Sequence, residues 1–203
     1  MKEHPVVGPL FSAHLLERSV LATLRDRLPG YLTVACELND ISEGIERVRS
    51  WGLESELPDD WPSQGMPALL VVSGGTIEDP EEAEGGVYRA PWRVDVVVTV
   101  QAAKGPQARR YAQTYGAAVR GALIQRRSLG EEGQVCRWLG ETPGLAVPDV
   151  ENPESSICSV VNRFAVDRDG IVSWRRGPGA DSSSIPNEWP VVKEVATETE
   201  IQP

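Results

Sequence analysis

Histidine is nearly absent from this chain: His4 and His14 are the only two in 203 residues, and both lie near the N-terminus. Neither stands at a metal-ligand spacing from a cysteine, so zinc chemistry of the usual His/Cys kind has no framework. Cysteine is also sparse. Cys36, Cys136 and Cys158 form no close pair and no CxxC motif. An odd, scattered set points to reduced folding in a cytosol, with the thiols packed as small hydrophobes. No apolar run approaches the ~20 residues needed to span a membrane. The start, Met1-Lys2-Glu3-His4-Pro5, has no apolar signal-peptide core.

Positive charge is in deficit. The formal net charge is -10, which argues against nonspecific DNA binding by the surface as a whole, because phosphate contact needs concentrated Lys and Arg. Nucleotide-binding loops are missing too. Lys104-Gly105-Pro106 is no Walker A, and no GxGxxG occurs. Ser73-Gly74-Gly75 follows an apolar run but lacks the G-x-S-x-G elbow of a hydrolase nucleophile. No residue set therefore carries catalysis, cofactor binding or metal binding, and a non-enzymatic role is expected.

What remains is a pattern of elements. Phe11 to Leu28 reads as a helix capped by Ser12, with Leu16, Val20, Leu24 and Leu28 on one face. Glu17, Arg18, Arg25 and Asp26 fall on its polar side. Pro29-Gly30 is a stop signal, and the β-prone stretch Tyr31 to Cys36 predicts a strand. Ile41 to Trp51 predicts a short helix within an acidic, proline-broken segment, Glu37 to Gly65. Met66 to Ser73 is wholly apolar, so it predicts a central strand or one covered on both faces.

Trp92 to Gln101 alternates Trp92, Val94, Val96, Val98 and Val100 with a mixed polar set, which is the period of a strand with one buried face. Gln107 to Leu129 predicts a second helix, its stripe formed by Tyr111, Tyr115, Ala118, Ala122 and Leu123. That helix closes at Gly130. Gln134 to Leu139 predicts a strand, and Gly140 to Pro153 a loop. Ser156 to Val166 predicts another strand, and Asp167-Arg168-Asp169-Gly170 a tight turn into a partner strand, Ile171 to Arg175. Beyond Gly177 the composition turns polar, so residues 1–177 read as one domain and 178–203 as an extended arm. Segregated helices and strands give an α+β class with a largely antiparallel sheet against two main helices.

Charge is distributed in blocks. The run GGTIEDPEEAEGG holds Glu78, Asp79, Glu81, Glu82 and Glu84 between two apolar segments. It lacks calcium-loop spacing and is split by Pro80, so it reads as a solvated hairpin loop rather than a metal site or a pair of catalytic acids. Asp167-Arg168-Asp169-Gly170 likewise lacks the later calcium ligands. The second helix carries Arg109, Arg110, Arg120, Arg126 and Arg127. A basic block from Lys104 to Arg137 thus stands against acidic blocks at Glu37–Asp60 and Glu78–Glu84. Opposed patches of this kind suit head-to-tail pairing between copies. The arginines are candidates for a subunit or partner interface, and the acidic loop for a lumen or a partner surface.

The order of elements resembles the tail terminator (tail completion) proteins of long-tailed bacteriophages, especially those of actinobacteria. The resemblance covers about Phe11 to Arg176 and is carried by "ALLVVSGG", "WRVDVVVTV" and "ARRYAQTYGAAVRGALIQRRSLG". It implies a structural virion protein at the head–tail joint, assembled in the host cytoplasm. It also implies a ring, typically a hexamer, that caps the tail tube and meets the head connector. Its partners would then be itself, a tail-tube protein and a head-closure protein, with DNA passing nearby unbound and no membrane or cofactor involved. Two alternatives stand beside it: another neck ring or a tail-tube subunit, and a small cytosolic α+β enzyme or ligand-binding domain.

Overall fold

The computed structural model describes residues 12–57, 59, 61–62, 65–83, 87–124, 129 and 135–173. The arm at 178–203, Gly130, Glu84, Arg126 and Arg127 lie outside them. The architecture is α+β, as the pattern of elements implies. Two helices, α1 (Ala13–Leu38) and α2 (Gly105–Ile124), accompany strands β1 (Ser50–Leu53), β2 (Ala68–Thr76), β3 (Glu81–Ala83), β4 (Val87–Ala102), β5 (Val135–Pro143), β6 (Val147–Pro148) and β7 (Ser156–Ser173). These strands form one sheet in the order β1-β2-β4-β7-β5, with β3 beside β4 and β6 beside β7. Every pairing is antiparallel except β1 with β2.

The alternation in β4 does what its period dictates. Val94, Val96, Val98 and Val100 are buried, and they face the helices together with Val160, Phe164 and Val166 of β7. The stripe of α2 seals the same face, where Ala112, Tyr115, Ala118, Ala122 and Leu123 are buried. Two glycines set how closely α2 can lie. A Cβ at Gly116 would come within 2.8 Å of Glu141 Oε2, and one at Gly121 within 2.8 Å of the Tyr31 ring. A larger residue at either position would force the Glu141 carboxylate or the Tyr31 ring to shift.

Three expectations are corrected. First, α1 runs through Pro29-Gly30 to Leu38, so Tyr31 to Cys36 is helix rather than strand. A proline and a glycine in a helix interior cost roughly 4 kcal/mol together relative to alanine. Burial of Leu28, Leu32, Ala35 and Cys36 continues the apolar stripe, and each buried leucine alone returns about 1.5–3 kcal/mol. The packing term therefore prevails over the local stop. Second, Ile41 to Trp51 forms no helix. Residues 41–49 are irregular and end in β1, which pairs parallel to β2. Third, Asp167 to Gly170 is not a turn. Strand β7 continues to Ser173, because β4 reaches back to Val87 and offers it a full-length partner. A turn at this point would forfeit those ladder bonds.

The strand from Met66 is observed from Ala68 and does lie inside the sheet, between β1 and β4. Its Leu69 and Val71 are buried under the helices, whereas Leu70 and Val72 on the opposite face are half-buried. The segment read as a loop from Gly140 contributes the end of β5 and all of β6. The three cysteines are free and buried, as their scatter implied.

Two outcomes follow from these packing relations. Gly30 is helical, and a Cβ there meets nothing within 4 Å. Gly30→Ala should therefore raise stability by about 0.5–1 kcal/mol in urea unfolding, by reducing unfolded-state freedom. Burial, with a smaller push from Asp167, raises the Cys136 thiol to about 12. It stays protonated in the folded state at pH 8, so iodoacetamide should label it only when urea unfolds the chain. Because unfolded cysteine ionises near 8.5, the stability linked to Cys136 is full below that pH and is lost as pH climbs toward 12.

Candidate subunit interface

The acidic residues near the end of α1 are held by α2 of the same chain. The Arg110 guanidinium donates to the carbonyls of Asn39 and Asp40. Tyr111 Oη donates to Glu43 Oε1 at 3.0 Å, and Tyr115 Oη donates to the Glu46 carbonyl. Hydrogen bonds from its own backbone and from Tyr111 hold the Glu43 carboxyl below the usual carboxylate range. One residue of the basic block, Arg110, is thus bound to main-chain carbonyls of the acidic segment within a single subunit. Arg110 is committed to this internal work, while Arg109 is exposed on the same helix.

The acidic run is more structured than a plain loop. Glu78 and Asp79 are exposed beyond β2, and Glu81, also exposed, begins β3. Glu82 belongs to that strand, opposite Tyr88 in register. Glu78, Asp79 and Glu81 line a small cleft together with Arg89, Pro91 and Asp167. Close by, Arg137 makes paired 3.0 Å bonds to Asp167, which raise its pKa first, with Glu78 adding a smaller push. The carboxylates therefore lie beside guanidinium groups of their own chain.

Arg120 has a different setting. Its Nη1 lies 3.2 Å from Glu141 Oε2, and its guanidinium sits 4.9 Å from the centre of the Trp138 ring. Trp138 Nε1 donates to Asn162 Oδ1 at 3.2 Å, and buried Asn162 donates in turn to the Gly116 carbonyl at 3.3 Å. This links α2, β5 and β7. It also fixes a tryptophan that is 42% exposed. Leu139 beside it is 50% exposed, and Leu145, Val147 and Val150 beyond it are exposed as well. Half of the exposed large hydrophobics among the described residues thus lie between Trp138 and Val150. They follow the outer edge of β5 and β6, where β7 pairs on one side only.

The sheet face away from the helices carries a polar row. Arg93 makes two bonds to Asp95, at 3.0 and 2.6 Å, and Arg163 lies 4.0 Å from the same carboxylate. Thr99 and Ser159 share a 2.9 Å bond across β4 and β7. A cleft of about 460 Å³ opens elsewhere, lined by Pro29, Leu32, Cys36, Ile41 and Ile45 with Glu37, Asp40 and Arg47.

Sequence reasoning missed two features. Glu17, placed on the polar side of α1, is buried and accepts from Ser55 Oγ at 2.5 Å and from the Ser73 backbone N–H at 3.0 Å. No local signal marks it, because both partners are more than thirty positions away. Trp138 was legible only as a strand residue. Its pinning depends on Asn162 and Arg120, which the fold alone brings near.

The Asn162 bridge yields a clear comparison. Asn162→Ala leaves the buried Gly116 carbonyl without its side-chain partner and should cost about 2–3 kcal/mol in urea unfolding. Trp138→Ala, at an exposed edge, should cost the single subunit less. The reverse ranking would mean that Trp138 is a core residue.

No family model matches the chain, and no curated protein matches it. Among solved structures it is similar to a chain of the "Virion of native gene transfer agent (GTA) particle". The two are 19% identical, the match covers 75% of this chain and 95% of that one, and the TM-score is 0.36.

Proposed function

We propose that the chain is a non-enzymatic virion protein that forms a ring, most simply a hexamer, capping a phage tail tube and joining it to the head connector. The single observation that supports self-assembly most is the sheet itself. Among the described residues it is open, and its two outer strands differ: β1 is short, and β5 is longer and bears exposed Trp138 and Leu139. Unlike edges suit heterologous contacts, which close into rings when the rotation allows. An unpaired strand edge is also a template for association, and on β5 the register shift and Pro143 confine that template to a short run.

The internal pairing of Arg110 with the α1 terminus redirects the head-to-tail idea. Arg110 is engaged by main-chain carbonyls of its own subunit, so shape and apolar contact at the edge carry more of the assembly. The acidic run keeps an exposed position, and in a ring its repeated carboxylates would disfavour DNA adhesion. The tail-terminator assignment rests on the stretches "ALLVVSGG" and "WRVDVVVTV" and the helix after them, and the tail-tube and head-closure proteins enter as partners on that basis.

Native mass spectrometry of the purified chain should show one closed oligomer, and electron microscopy should show single rings. Added to polymerising tail-tube protein, the chain should cap the tubes and stop their growth. Long self-polymers would identify a tube subunit instead, and monomer alone at high concentration would refute the ring.

A further inference from the structure

We propose that the outer edge of β5, anchored at Trp138, is the dock for the apolar segment Trp189–Ala196 from the C-terminal arm of a neighbouring copy. This inference rests on the ring reading above and names the contact that closes it.

The edge is prepared for a strand. Among the described residues its outward backbone groups have no ladder partner, since β5 ends the strand order. The pairing with β7 shifts between Trp138 and Gly140, and Pro143 and Pro148 lack an N–H, so the uninterrupted portion is the short run from Val135 to Leu139. A strand of about five residues fits such a run. Trp138 is already held by Asn162 and Arg120, so little side-chain freedom remains to be lost on binding. Rigid tryptophan and arginine are the residue types that most often dominate interface energetics.

The arm supplies a matching segment. Trp189-Pro190-Val191-Val192-Lys193-Glu194-Val195-Ala196 is its apolar, β-prone portion. Residues 178–203 contain Asp181, Glu188, Glu194, Glu198 and Glu200 against Lys193, a net charge of -4 (one minus five). The elements framing the edge have the opposite sign. Within α2, β5 and β7 stand Arg109, Arg110, Arg120, Arg137, Arg163 and Arg168 against Glu141, Asp167 and Asp169, a net +3 (six minus three) in a chain of -10.

Direction favours a neighbour over the same subunit. Phe164 of β7 lies opposite Trp138, and β7 runs on to Ser173 in the direction leading away from it. Those nine residues carry the chain about 30 Å from the anchor at ~3.3 Å per residue. Fifteen residues, 174–188, then separate the end of β7 from Trp189, a length that can span to an adjacent subunit. Each copy then gives an arm on one side and receives one on the other, the heterologous pattern a ring requires.

The test uses full-length chains. An isotopically heavy Leu139→Cys chain is mixed with a light Val192→Cys chain, allowed to assemble and oxidised. Mass spectrometry should then find heavy position 139 linked to light position 192 in the ring fraction. Truncation after Gly177, and separately Trp138→Ala, should weaken assembly at least tenfold while leaving the subunit folded by circular dichroism. Rings that form without the heavy-to-light link, or that form equally well from truncated chains, overturn the inference and leave the ring reading standing. A link found only inside a doubly substituted chain also overturns it. A full-length chain that never assembles removes the ring reading and the inference together.

Discussion

The pairing of β4 with β7 is the constraint on which the rest of the molecule depends. These are the two longest strands, and they run together from Ala102 opposite Ser156 to Val87 opposite Ser173. Their shared helix-side face, Val94, Val96, Val98, Val160, Phe164 and Val166, is the floor on which α2 rests. A one-residue slip of β7 against β4 would turn Val160, Phe164 and Val166 to the open face and bring Arg163 under the helices. The Arg163–Asp95 contact on the open side depends on this register too, because the two residues stand opposite one another across β4 and β7.

The other elements are attached to this pair in order. Helix α2 lies close because Gly116 and Gly121 allow it, and it reaches out with Arg110, Tyr111 and Tyr115 to fasten the irregular segment after α1. Glu17 joins α1 to the turn after β1 and to β2. Strand β5 lies on the far side of β7 and is tied back to α2 through Trp138, Asn162 and Arg120. The same bridge that stabilises the subunit holds an aromatic side chain at its margin.

Much of this was legible in the sequence where period and burial agree. The alternation from Trp92 to Gln101 predicts buried Val94, Val96, Val98 and Val100, and the stripe of α2 predicts buried Tyr115, Ala118, Ala122 and Leu123, because their apolar spacing fits only one element type; Trp92 and Tyr111, read as part of the same faces, are half-buried. Legibility failed where a strong local signal met a stronger distant one. Pro29-Gly30 reads as a helix stop, yet Leu32 and Cys36 gain more from burial than the backbone loses. Asp167 to Gly170 reads as a turn, yet β4 supplies a continuous partner. Trp138 and Glu17 were invisible as special positions for a related reason: each is defined by residues far along the chain. The acidic run was recognised by composition, but its setting among Arg89, Arg137 and Asp167 required the sheet. Its carboxylates are partly balanced at home, which narrows the opposed-patch picture without removing their exposed position.

The central claim is that subunits meet across the β5 edge of an open sheet. A cryo-electron microscopy map of the assembled particle tests this most directly. The account predicts density from an adjacent subunit lying against Trp138 and Leu139 at every interface around a closed ring. A closed ring in which that edge faces solvent would contradict it.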